Sequence, residues 1–170
     1  LDLSAVLKMA VQLLAVAILF KFGVRLEFLV MDVWWADLLE YLVTLLWVIG
    51  ITNAFNFIDG INGLAPSLPA VLCLLLGMHA WQPAQCNMML LCLAVAGSAF
   101  GFLPDNARYR QPARSFMGDV GSTYLGWMMA CIAVMGEWSS AGPLKAYAVP
   151  LLIFSPLIFD MIYISVSRIA

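Results

Sequence analysis

Apolar residues fall into six long stretches separated by short polar breaks: residues 5–24, 38–51, 64–81, 88–103, 121–135 and 146–166. The stretches approach the roughly 20 residues that a helix needs to cross a bilayer. The first is interrupted only by Lys8, Gln12 and Lys21. Pro66 and Pro69 fall in the opening turns of the third, where a missing N–H is tolerated. The fourth runs up to Pro104. Pro150 and Pro156 lie inside the sixth and predict kinks of the kind that packed membrane helices accommodate. The pattern predicts an all-α, polytopic transmembrane helix bundle of about six spans, forming one integral-membrane domain over residues 1–170.

Composition narrows this further. Hydrophobic residues make up 64% of the 170, charged residues 11%, and mean hydropathy is +0.98. A soluble domain is about 45–50% apolar and 25% charged, so this chain lacks the polar surface to coat a soluble globule. It is too apolar for disorder. A net charge of −2 gives no reason to expect a nucleic-acid partner. Cys73, Cys92 and Cys131 lie in apolar runs, and with Cys86 they form no CxxC pair. The three read as small core residues. No charged segment followed by a short apolar stretch and cleavage site precedes the first span, so no signal peptide is expected. No internal repeat is visible.

Charge orients the spans. Six spans place the chain start, residues 52–63 and residues 104–120 on one side. Residues 25–37, 82–87 and 136–145 fall on the other. The first side carries Lys8, Arg108, Arg110, Arg114 and Arg168; the second carries Lys21, Arg25 and Lys145. Positive loops stay cytoplasmic, and the 104–120 loop is the most basic. Glu27, Asp32, Asp37 and Glu137 lie on or near the opposite side, where Trp34, Trp35, Trp81 and Trp138 fit an interfacial aromatic belt. His79 falls near that outer boundary and reads as an interface residue.

Two polar segments exceed what membrane burial requires. In residues 53–64, Asn53, Asn56, Asp59 and Asn62 recur every three residues, followed by Gly63. A helical or 3₁₀ turn gathers them near one face. That spacing fits a ligand site, or a turn closed by local side-chain hydrogen bonds. The second segment, Phe116-Met117-Gly118-Asp119-Val120-Gly121-Ser122-Thr123, opens the fifth span. A helix N-terminus there favours phosphate, and Asp119 beside it invites a bridging Mg²⁺; Asp119 also fits an N-cap. Both segments fall on the cytoplasmic side. Asp160 lies inside the last span, where an ionisable residue is functional by default or pairs with another span. Lys8 fits a snorkelling residue.

These motifs carry a resemblance. Asn-x-x-Asn-x-x-Asp-Gly-x-Asn-Gly-Leu at 53–64 and Phe-Met-Gly-Asp-x-Gly-Ser at 116–122 resemble signatures of the polyprenyl-phosphate N-acetylhexosamine-1-phosphate transferases, glycosyltransferase family 4. The resemblance implies attack of a polyprenyl (undecaprenyl) phosphate on the β-phosphorus of a UDP-N-acetylhexosamine at the cytoplasmic face of the inner membrane. UMP leaves, with Mg²⁺ (or Mn²⁺) required. Such a step serves cell-envelope polysaccharide or O-antigen synthesis, including lipopolysaccharide. It implies Asp119 and Asn56 as metal ligands and Asp59, Asp119 and Lys8 as the catalytic set, with Lys8 near the pyrophosphate. It further implies Phe116 stacking on uracil, Asn62 reading the uracil edge and Asn53 shaping the pocket. Gly118 and Asp160 are further candidate substrate contacts. Arg108, Arg110 and Arg114 attract phosphates on this reading, or act only as an inside-positive anchor. The expected partners are the UDP-sugar, the polyprenyl lipid and the membrane, with a homodimer as one assembly. Family members carry an acidic pair upstream of the Lys8 span and a histidine motif beyond the last span. Neither is in this chain, which therefore reads as an internal part of a larger bundle. The alternatives are an inactive member or membrane scaffold and, less well supported, a transporter, which would spread polar residues through several spans.

Overall fold

A computed structural model describes residues 5–29, 33–81, 85–108, 113–139 and 143–169. They form six helices: α1 (Ala5–Lys21), α2 (Trp34–Ile58), α3 (Leu64–His79), α4 (Cys86–Asn106), α5 (Gly118–Met135) and α6 (Pro143–Ile169). No strand occurs among the described residues. Three segments are long and apolar enough to cross a membrane: Trp34–Ile58, Cys86–Asn106 and Ala146–Ile164. The fold fits a helical membrane bundle. Asp32 and Arg110 lie outside the described residues, as do the side chains of Lys145 and Arg168.

The helices stand at the six apolar runs, with shifted ends. α2 continues seven residues past the end of its apolar run, so Asn53 and Asn56 are helical rather than part of a loop. Their polar side chains find partners on α1 and α5, which removes the reason to leave the helix. α4 continues two residues past Pro104, closed by the Ala107 N–H donating to the Leu103 carbonyl at 2.7 Å. α5 begins at Gly118, three residues before the apolar run, so Asp119 sits in its first turn instead of capping it.

In lipid, helices associate by close packing around small residues rather than by hydrophobic drive. α2 lies chiefly on α5, and α3 on α4. Gly126 of α5 sets the first contact: a Cβ there would fall 2.8 Å from the Thr52 Cα and 2.9 Å from the Phe55 Cβ. Any side chain at 126 would push α2 and α5 apart. Phe55, Met129, Ile132, Phe154 and Leu157 fill the surrounding core, and α6 packs against α2 and α3.

The loops gather at two ends. At one end Asn106 joins the Gly63 and Ser115 segments. At the other, Gln85 bonds Glu137, His79 bonds the Trp138 carbonyl, and Tyr147 accepts the Glu27 N–H. Trp138 corrects one expectation. It is 2% exposed, its ring stacks on His79 and its Nε1–H donates to the Ala133 carbonyl. It belongs to the core, whereas Trp34 and Trp81 remain exposed. Cys73, Cys92 and Cys131 are buried free thiols.

Candidate active site

The Gly126–Thr52 contact fixes how α2 and α5 align. One turn from it, toward the motif end, Asn56 faces Thr123 and its Nδ2 donates to Thr123 Oγ1 at 3.2 Å. One turn further, Asp119 pairs with Lys8 of α1. The triangle closes between α1 and α2, where Asn53 Nδ2 donates to Gln12 Oε1 at 3.1 Å and to the Ile49 carbonyl at 2.8 Å. Three helices are thus tied pairwise by side chains from both polar segments and the first span. A cleft of about 360 Å³ opens between them, bordered by Lys8, Gln12, Thr52, Asp119, Thr123 and Trp127. Its rim carries exposed Val120 and Tyr124.

The sequence candidates divide by position. Lys8 and Asp119 line this cleft, and Asn56 reaches its wall through Thr123. Asn53 spends its amide hydrogens inside the protein, as a tie between α1 and α2. Asp59 ends α2; it is 9% exposed, and its Oδ1 is buried with no hydrogen-bond partner among the described residues. Asn62 and Phe116 are exposed. Gly118 opens α5 at φ +71°, and Gly63 ends the first segment at φ +79°, a backbone region that side chains disfavour. Asp160 is not brought to the cleft. Its neighbour Met161 packs at Gly50 of α2, and Asp160 is not among the residues that border the cleft. Arg108 is exposed, and Arg114 pairs with Asp105 at 3.6 Å.

Among the described residues, no group of three His, Cys, Asp or Glu side chains is poised to hold a metal. The oxygens that meet at the cleft are the Asp119 carboxylate and the Thr123 hydroxyl, with the Asn56 amide beside them. The Asp119 and Thr123 oxygens are of the kind that suits a hard cation such as Mg²⁺, which keeps several waters and takes few protein ligands.

Known proteins match the same chain. The family model described as "Glycosyl transferase family 4" matches residues 1–137. The chain belongs to glycosyl transferase family 4. A relative in Bacillus subtilis (strain 168), the "Probable undecaprenyl-phosphate N-acetylglucosaminyl 1-phosphate transferase", is 32% identical over 99% of this chain and 47% of its own length. The "Phospho-N-acetylmuramoyl-pentapeptide-transferase" of Levilactobacillus brevis is 42% identical over 54% of this chain and 27% of its own. That of Enterococcus hirae is 41% identical over 55% and 29%. The chain spans less than half the length of these curated relatives.

Sequence reasoning missed four residues of this family member's site. Gln12 registered only as an interruption of an apolar run, Thr123 only as the end of a motif, and Thr52 as part of a loop. Asn106 passed unnoticed beside Pro104, although it is fully buried. A lone amide following a proline at a span end is the signal that was available.

Proposed function

We propose that this chain forms the nucleotide and metal half of a membrane transferase. The enzyme moves an N-acetylhexosamine-1-phosphate from a UDP-sugar to a polyprenyl phosphate, with the site facing the cytoplasm. The observation that carries this reading is the meeting of Lys8 and Asp119 at one cleft, with Asn56 of a third helix bonded to its Thr123 wall. The activities named for the relatives from Bacillus subtilis and Levilactobacillus brevis support a sugar-1-phosphate or phospho-sugar transfer. The identity of the aminosugar and the polysaccharide pathway belong to this proposal.

Phosphoryl transfer needs positioning and charge neutralisation more than covalent help from the protein. A lipid phosphate oxygen forms the new bond to the β-phosphorus. The bond from that phosphorus to the bridging oxygen breaks, and UMP leaves with the oxygen and its electron pair. Lys8 is the cation beside the site, and on substrate entry its ammonium turns from Asp119 to the diphosphate. Asp119 and the Asn56 amide oxygen would hold Mg²⁺, which when bound neutralises charge on the diphosphate. The buried Asp59 Oδ1, without a partner among the described residues, would accept a nucleoside N–H or O–H once substrate entry uncovers it. Exposed Phe116 offers a stacking face to the uracil, with Asn62 at its edge. Val120 and Tyr124 give the polyprenyl tail an apolar approach.

The test is an assay of the full-length protein with UDP-N-acetylglucosamine, undecaprenyl phosphate and Mg²⁺. UMP and the lipid diphospho-sugar should appear in equal amounts, stop with chelator and resume with Mg²⁺ or Mn²⁺. UMP without the lipid product, or turnover indifferent to chelator, would contradict the reading.

A further inference from the structure

The two polar segments are 52 residues apart when counted from Gly63 to Ser115, and they belong to different loops. One side chain touches both. Asn106, the last residue of α4, is fully buried. Its Oδ1 accepts the Gly63 N–H at 2.7 Å, and its Nδ2 donates to the Ser115 carbonyl at 2.9 Å. Both partners are adjacent to candidate uridine contacts, Asn62 and Phe116. Two further features make the end of α4 a fixed platform. The Arg114 N–H donates to the Asp105 carbonyl at 2.9 Å. A Cβ at Gly63 would stand 2.9 Å from the Ala107 Cβ, so the first segment rests directly on α4.

We infer that Asn106 is a positioning residue that clamps the two segments in register, holding Phe116 and Asn62 at the spacing one nucleoside requires. An amide fits both partners, since its oxygen accepts the Gly63 N–H and its nitrogen donates to the Ser115 carbonyl. Neither helix packing nor the Lys8–Asp119 pair performs this task, because both act on the helical parts of the segments and not on the loop residues at Asn62 and Phe116. The clamp rests on the hydrogen bonds alone; its service to a uridine nucleotide rests on the proposed transferase function.

The experiment uses the full-length protein with Asn106→Ala and Asn106→Asp. The aspartate keeps an acceptor for Gly63 but sets a carboxylate oxygen against the Ser115 carbonyl. Hydrogen–deuterium exchange reads the clamp without turnover. Asn106→Ala should speed exchange across residues 61–64 and 114–118 by about tenfold, the scale of one lost buried hydrogen bond. Asn106→Asp should do so only across 114–118. Unchanged exchange in either segment of the alanine variant overturns the clamp; should that variant fail to fold, unchanged exchange across 114–118 in Asn106→Asp does the same. Kinetics read the positioning. For Asn106→Asp, KM for the UDP-sugar should rise about tenfold with kcat within about twofold. Adding Phe116→Ala should then cost less than it does in the wild type, because the ring is already displaced. Loss of active protein with KM unchanged would make Asn106 merely structural and overturn the positioning role. Wild-type protein that releases no UMP yet shows the exchange pattern would sink the transferase reading and leave the clamp standing.

Discussion

At the end of the bundle away from the motifs, Arg25 lies 2.8 Å from Asp37 and 3.6 Å from the buried Glu40, with its guanidinium 5.2 Å from the Tyr41 ring. Glu40 Oε1 accepts the Phe28 and Leu29 N–H groups at 3.0 and 2.9 Å. Burial tends to lower the Arg25 pKa, but Asp37, Glu27 and Tyr41 outweigh it and hold the value above the ordinary range. At the motif end Asp59 keeps a buried oxygen without a partner among the described residues, and the Lys8–Asp119 pair stands at an open cleft. Similar residue types thus do opposite work. One end spends its charges on folding a connecting loop onto α2. The other fixes the positions of its polar groups while leaving some of their bonding capacity unused among the described residues.

The comparison breaks most sharply at Asp119. Asp119→Asn in the full-length protein should lower kcat for UMP release about a thousandfold, the scale of losing one preorganised charge-stabilising group. The thermal midpoint should stay close to wild type, because the side chain is exposed and its ion pair contributes little to stability. Turnover within tenfold of wild type would remove Asp119 from the site.

Glu40→Ala is the mirror experiment. It orphans two backbone N–H groups and leaves Arg25 with fewer partners, at a cost of about 1–3 kcal/mol. The thermal midpoint should fall while kcat per folded molecule is unchanged. A variant that keeps its stability and loses activity would show that the two ends do not divide their labour this way. Phe116→Ala sharpens the comparison from the motif side. It should weaken UDP-sugar binding by about 1–3 kcal/mol, the worth of base–aromatic stacking, with no loss of stability from a ring that is 55% exposed. Calorimetric titration with the UDP-sugar or UMP reads it directly.

Much of the fold was legible because apolar runs of near span length favour helices in lipid: six apolar runs mark six helices, and α6 runs unbroken through Pro150 and Pro156. Helix ends were less legible. Asn53 and Asn56 look like loop residues in one dimension, and only the partners Gln12 and Thr123 on other helices make them helical. Trp138 was misplaced for a related reason. A tryptophan at a span boundary fits an interface, and only the His79 ring and the Ala133 carbonyl explain its burial. Residue type and setting singled out Asp119, and the family resemblance singled out Phe116. Neither singled out Asn106, whose contribution lies in joining segments that are distant in sequence.

The smallest effect is expected at Arg114, and it decides what the basic loop does. Arg114 Nη1 sits 3.6 Å from Asp105 Oδ1, with the side chains 70% and 53% exposed. Such a pair is screened by solvent and worth little. Its backbone N–H, bonded to the Asp105 carbonyl, survives any side-chain change. Arg114→Gln should therefore change KM for the UDP-sugar by less than about twofold and leave its salt dependence as in wild type. If the arginines draw phosphates to the cleft, KM should instead rise several-fold and its dependence on ionic strength should flatten, because long-range attraction is what salt screens. A flat result removes Arg114 from phosphate attraction and leaves its charge to orientation in the membrane.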